Sequence, residues 1–329
     1  MAKYILKRFL WMIPILLCVI IVVFTVMYFT PGDPAMAILG NSYTPESYEA
    51  KVRELGLDKP YIVQLGNYLI NIVTKFDFGK SYMNNRSVTT QILERLQPTL
   101  IIGAVSVLLS QLIAIPVGIT AATHHGKIQD YTVSSLCIIL AAIPGFLLAV
   151  FLMLLFCLKL NWLPAAGITN WYGYILPIVC SIFGPLVSSC RMTRSSMLEV
   201  IRKDYIRTAR AKGVSEHDVI HKHALKNALI PVLTMLGMHL GGAMGGSILV
   251  ETIFTVPGLG ILMKNAIYNL DYPVVEGCVI FVSFIMSLLM LLTDLAYAAV
   301  DPRVRDQITG GGKKKRRKKA AQSMEGIAA

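Results

Sequence analysis

The sequence predicts an all-α polytopic membrane protein with six transmembrane helices and both ends cytoplasmic. Three observations predict it. The 329 residues are 55% hydrophobic with a mean hydropathy of +0.60. Only 15% are charged, where a soluble chain carries about a quarter. Six apolar runs, at 9–30, 99–123, 132–158, 174–190, 229–250 and 277–300, approach the length of about 20 residues that crosses a hydrocarbon core; the fourth is short.

The first run follows Lys3, Lys7 and Arg8. It is too long for the apolar part of a signal peptide. It leads into "TPGDPAMA" rather than a clean small-residue cleavage site, so it reads as an uncleaved first span. Orientation follows from the Lys/Arg excess of cytoplasmic loops. The N-terminus, 124–131, 191–228 and the C-terminus hold 22 of the 31 Lys/Arg, and these segments are assigned inside. The chain then divides into 1–30, an external region 31–98, a permeation core 99–306 with a cytoplasmic segment 191–228, and a tail 307–329.

In the external region, Thr44 as N-cap, Pro45 at the first helical position and Gly56 as a stop predict a short helix. "PYIVQLGNYLINIV" (60–73) has helical apolar spacing. "FDFGKS" (76–81) mimics two nucleotide motifs at once. A phosphate loop needs a glycine five positions before Gly79, where Thr74 stands. A kinase triplet needs a glycine-rich loop and a catalytic loop, and neither is present. The hexapeptide is no ATP site.

Pumps and secondary carriers place ionisable groups inside their spans. Here the spans hold almost none beyond His239 and Asp294. The six cysteines (Cys18, Cys137, Cys157, Cys180, Cys190 and Cys278) lie in apolar runs without metal-site or disulfide spacing, which fits small packing residues. No cofactor, metal or catalytic constellation is expected. Seven consecutive basic residues after "GGG" repel one another into a disordered tail, attracted to anionic lipid headgroups; no fold around them supports nucleic-acid binding.

The most informative stretch is 191–231. Residues 195–212 read as one helix, Gly213 as its break and Ser215 as the cap of a second. The result is an elbow beneath the membrane. Ala209 and Ala211 would let another backbone come close, and Arg207, Arg210 and Lys212 would offer charge-assisted contacts. His221 and His223 are two apart and share no helix face, unlike ligands at i, i+4.

At these residues the chain resembles ABC-importer permeases of the branch handling dipeptides, oligopeptides, glutathione and nickel. "DYIRTARAKGVSEHDVIHKHALKNALIPVLTMLG" is similar to their coupling loop. "TPGDP", "RELGLDKPYIVQ", "FDFGKSY", "RLQPTL", "VETIFTVPGLG", "DYPVVEG" and "DLAYAAVDPRVRD" follow in family order over residues 1–306. "TPGDP" points to the B-type member of the permease pair. The general importer loop reads Glu-Ala-Ala, three residues, Gly, nine residues, Ile-x-Leu-Pro. Anchored on Gly213, this chain has Arg207-Thr208-Ala209 and His223, Leu225 and Lys226 at those places; only Ala209, Gly213 and Leu225 agree, a departure typical of the peptide/nickel branch.

The resemblance implies an importer-permease fold and partners: a second, C-type permease, two ATP-binding subunits, an external solute-binding protein and a peptide substrate. It implies that Arg207, Thr208, Ala209, Arg210, Ala211, Lys212, Gly213, His223 and Leu225 form the ATPase-coupling loop, and that this chain is not itself an enzyme. The small-residue stretch 237–247 either packs helices closely or lines the pathway, through Met238, His239, Gly241, Gly242, Gly245 and Gly246. Met235, Met238, His239 and Met244 are soft donors that would suit a transition metal, so nickel or glutathione stand as alternative cargoes. An autonomous channel or secondary carrier is the reading from another class.

Overall fold

Apolar runs without backbone partners must satisfy their peptide groups internally, and they do so as helices. The computed structural model describes residues 2–40, 43–244 and 248–300, nearly all helical. The basic tail, Gly245 and Gly246 lie outside the described residues, as does the side chain of Asp294. Helix α1 is Ala2–Phe29, α2 Pro34–Leu39, α3 Pro45–Leu55 and α4 Tyr61–Lys75. Helix α5 is Val88–Thr123, α6 Ile128–Ala142, α7 Gly145–Met153 with a π-helical extension to Lys159, and α8 Ile175–Ile201. Helix α9 is Asp204–Ala211, α10 Glu216–Asp218 running through a π-helical turn Val219–Ala224 into α11, Leu225–Met244. Helices α12 (Ile248–Ile253), α13 (Leu259–Tyr268) and α14 (Tyr272–Val300) complete the described residues.

Local signals set several of these ends. Thr44 and Ser47 form a reciprocal capping box at α3, and Gly56 ends it in the left-handed region at φ 69°, as expected. Helix α4 buries Leu65 and Ile72 and leaves Ile62, Ile70 and Val73 exposed. It docks on α1 through the Tyr61–Thr25 hydroxyl pair at 2.7 Å and the rings of Phe24 and Tyr68, 5.6 Å apart.

By length and apolarity, four helices among the described residues can cross a membrane: Ile5–Phe29, Val88–Thr123, Trp171–Ile201 and Tyr272–Thr293. A fifth crossing comes from α6 and α7 if they act together, and these are bent by 88°. The run 132–158 is therefore not one straight span. Ile143, ahead of Pro144, is extended (φ −83°, ψ 119°), the conformation that a following proline imposes. The fourth span is longer than the apolar run 174–190. Helix α8 carries Arg194 within it because that guanidinium is paired with Asp130.

Helix α5 packs along most of α8, and α11 and α14 pack against this pair. One apolar cluster joins α1, α4, α13 and α14 to the start of α5; a second joins α5, α7, α8 and α12. A third lies at the far end of α5 and α8, beneath α9 and the turn after α10.

Candidate coupling elbow and translocation pathway

Residues 195–212 do not form a single helix. Helix α8 stops at Ile201, Lys203 is extended (φ −72°, ψ 151°), and α9 starts afresh at Asp204. No Gly or Pro marks this break. Burial does: Ile206 is fully buried and Ala209 nearly so, against Met197, Val200, Val219 and Ala224, with Ala122 from α5. A straight continuation would leave Ile206 in water, at about 1.5–3 kcal/mol for a side chain of that size.

Gly213 does turn the chain. Its φ is +77°, a region costly for residues with a Cβ. Its N–H donates to the Arg210 carbonyl at 3.0 Å, and the Val214 N–H to that of Ala209 at 3.3 Å. Ser215 caps the second arm by accepting from the Asp218 N–H. Arg210 grips Glu216 across the turn with two hydrogen bonds, 2.6 and 3.0 Å. That contact holds the Glu216 carboxyl below its ordinary pKa and raises that of Arg210.

The elbow thus has two faces. Ala209 is packed against its own chain, and Leu225 half-packs there too. Arg207, Thr208, Ala211, Lys212, Gly213 and His223 are exposed. The small side chain of Ala209 therefore admits this chain's own helices. Of the two alanines, Ala211 is the one on the open face.

A second feature lies mid-bundle. A cavity of about 460 Å³ is lined by α5, α7, α8, α11 and α12. Met238, His239 and Gly242 all face it, together with Ser106 and Ser181. A methyl group at Gly242 would meet nothing within 4 Å. His239 Nε2 lies 3.1 Å from Ser188 Oγ, while its Nδ1 is buried without a partner. Gly241 instead turns toward α14, where an added methyl would lie 3.7 Å from Met286 Cε. Gly237 is tighter still: a methyl there would collide with Thr293, the close approach that small residues allow. The glycine stretch therefore serves both packing and cavity. Met235 does not line the cavity.

At the end away from the elbow, motifs far apart in sequence meet. In "FDFGKSY", Asp77 Oδ1 accepts from the Gly79 N–H at 2.9 Å. Ser81 Oγ donates to Asp271 of "DYPVVEG" at 2.5 Å, and the Tyr82 N–H to the same carboxylate at 2.9 Å. Asp77, the Ser81 hydroxyl and the Tyr82 N–H are thus engaged within the chain itself. "RLQPTL" meets "VETIFTVPGLG" in the same way. Glu251, 1% exposed, accepts from Thr99 Oγ1 at 2.8 Å and the Ile261 N–H at 3.1 Å. Thr99 Oγ1 accepts from the Leu259 N–H at 2.9 Å. Gly258 is required here because a methyl would sit 2.5 Å from the Glu251 carboxylate.

Sequence reading missed this Glu251 knot, which also borders the cavity. It likewise missed Asp130, which collects Arg194, His125 and the Gly126 N–H. The glycines after Glu251 were the available signal for the first; nothing local marked Asp130, whose arginine lies 64 residues away.

Comparison with known proteins fixes the family. Residues 114–306 match the model described as "Binding-protein-dependent transport system inner membrane component", and residues 1–103 match its N-terminal companion. The chain belongs to this family. Members sit in the inner membrane, and this chain is the permease subunit of an ABC importer. It is 40% identical over 307 residues to the glutathione transport system permease protein GsiC of Salmonella typhimurium, spanning 93% of this chain and 99% of that one. It is equally 40% identical over 313 residues to a Brucella abortus chain named for a peptide transport system permease, at the same coverage. In fold, the permease is similar to the MetNI methionine ABC transporter in inward-facing conformations. The TM-score is 0.53 and the identity 20%, over 65% of this chain and 97% of that one.

Proposed function

We propose that this permease conducts peptides inward and draws its energy from separate ATP-binding subunits seated on the elbow. The carrying observation is the elbow's division of labour. One face is buried on the chain itself, while Arg207, Thr208, Ala211 and Lys212 are exposed around a left-handed Gly213. A rigid knob with an exposed basic face suits docking in a cleft. In this reading the chain has six spans with both ends cytoplasmic, pairs with a C-type permease and two ATPases, receives solute from an external binding protein, and makes no covalent change itself. The 460 Å³ cavity that Met238, His239 and Gly242 share is its solute pathway, with small residues and few charges suited to cargo of varied side chains.

Glutathione is the second reading, favoured by the name of the Salmonella relative. Nickel stands as a further alternative: of its soft donors, Met238 and His239 line the cavity and Met235 does not. Uptake of a labelled dipeptide, a longer peptide, glutathione and nickel, in cells with and without the gene, tests the cargo. Loss of peptide uptake is expected. Loss of nickel uptake alone would overturn the reading, and loss of glutathione uptake alone would install the second one.

A further inference from the structure

Beneath α3, at the end opposite the elbow, helices α1, α4 and the start of α14 enclose a separate cavity of about 610 Å³. That is the size of small-molecule sites. Its wall is aromatic and acidic: Phe24, Tyr28, Tyr68 and Tyr272 stand with Asp33 and Glu276. Asp33 is already engaged, accepting from the Tyr48 hydroxyl at 2.7 Å and capping α2.

Glu276 is different. It lines the cavity, is only 6% exposed, and pairs with no cation among the described residues. It shares the cavity with the Tyr68 and Tyr272 hydroxyls, both buried without a hydrogen-bond partner. The unpartnered Tyr68 and Tyr272 hydroxyls and the cation-free Glu276 carboxyl leave polar groups here for a solute to engage. Aromatic faces beside a carboxylate are the chemistry that receives alkylammonium groups, through ring quadrupole and charge together. Lys59 and Lys80 reach the same cavity, placed to meet a carboxylate at the other end of a zwitterion.

We propose that this cavity is a binding site for a small solute carrying an ammonium group, with Glu276 as the counter-charge and the aromatic wall as its cage. The α-ammonium of a short peptide is one such group and a quaternary amine another. The site does not rest on peptides being the cargo.

The test uses the full-length chain purified with its permease and ATPase partners in lipid nanodiscs, without nucleotide or external binding protein. Binding of Ala-Ala, N-acetyl-Ala-Ala and tetramethylammonium is followed by calorimetry. Ala-Ala and tetramethylammonium should bind, and acetylation should weaken the dipeptide tenfold or more. Glu276→Gln should weaken both amines by a similar factor, with assembly and unfolding temperature retained. Lys59→Ala should weaken Ala-Ala and spare tetramethylammonium. Equal binding of the acetylated and free dipeptide, or silence toward both amines, would overturn the site. That comparison needs only the wild-type chain, so it stands even if Glu276→Gln fails to assemble. A signal for tetramethylammonium in a system that takes up no peptide would keep the site and detach it from peptide cargo.

Discussion

Gly213 isolates the elbow's backbone from its packing. At φ +77°, with nothing within 4 Å of where a methyl would sit, Gly213→Ala changes no contact. Its cost is the left-handed conformation alone, about 1–2 kcal/mol. That shifts the population of the ordered turn by roughly 5- to 30-fold. Asn tolerates the left-handed region better than Ala, so Gly213→Asn should cost less. Gly213→Pro fixes φ near −65° and deletes the N–H that donates to the Arg210 carbonyl; it should be the worst of the three. Below the turn, Ile206 and Val219 stay buried in their cluster, so all three variants should reach the membrane in normal amounts. In reconstituted vesicles carrying all subunits, solute moved per ATP hydrolysed should fall in the order wild type, Asn, Ala, Pro. Full coupling in Gly213→Pro, or Asn falling below Ala, would refute the idea that this turn carries the load.

Two further perturbations bear on other parts of the molecule. Glu251→Ala strands the Thr99 hydroxyl and the Ile261 N–H at about 1–3 kcal/mol each, and Gly258→Ala should reproduce much of that loss by displacing the carboxylate; both should unfold at lower temperature in detergent, and a wild-type melting point for Glu251→Ala would remove the knot from the account. Glu216→Gln unties the elbow's ion pair, which is half exposed and worth at most about 1 kcal/mol. Because Arg210 lowers the Glu216 pKa, the pair stabilises above the unfolded carboxylate value of about 4.3 and loses that contribution as pH falls through the lower folded value. Hydrogen exchange at the turn should separate wild type from Glu216→Gln at neutral pH and converge in strong acid or high salt; a difference that persists in acid would assign the effect to something other than this charge.

What the sequence made legible was what local chemistry decides. Thr44, Pro45 and Gly56 announced α3 because caps and left-handed stops act within a few residues. Gly213 announced the elbow for the same reason. The break at Arg202–Lys203 left no such mark, since the burial of Ile206 against α5 and α8 imposes it from outside the segment. The bend at Ile143 was hidden differently: hydropathy is blind to direction, and only the Pro144-Gly145 pair betrayed it. In the proposed pathway, composition singled out Met238, His239 and Gly242 but could not separate them from Gly241, because facing α14 or facing the cavity depends on a rotation about α11. Glu251 and Thr99, 152 residues apart, were legible only as separate motifs; their meeting is a property of the fold.

That meeting gives α5 a particular place in the proposed transport cycle. The helix has 36 residues, about 54 Å at the usual rise. Near one end Thr99 enters the Glu251 knot; Ile102, Gly103, Ser106 and Val107 then line the cavity, and Ala122 reaches the elbow cluster. Helix α5 is also locked to α8. Gln111 donates to Ser189 Oγ at 2.7 Å, and Gly118 lies so close that a methyl would fall 2.7 Å from Thr193 Cβ. A force on the elbow therefore meets a two-helix lever rather than a single flexible strand. At the far end, yielding would break buried hydrogen bonds at about 1–3 kcal/mol for each stranded group. At the opposite cavity wall, α7 hangs from the 88° bend at Ile143–Pro144, and Gly145 and Phe146 at its start face the cavity. In the proposed cycle the two helices are tied at Gln111–Ser189 and the knot is costly to open, so a load from the elbow is expected to alter the proposed pathway at that bend.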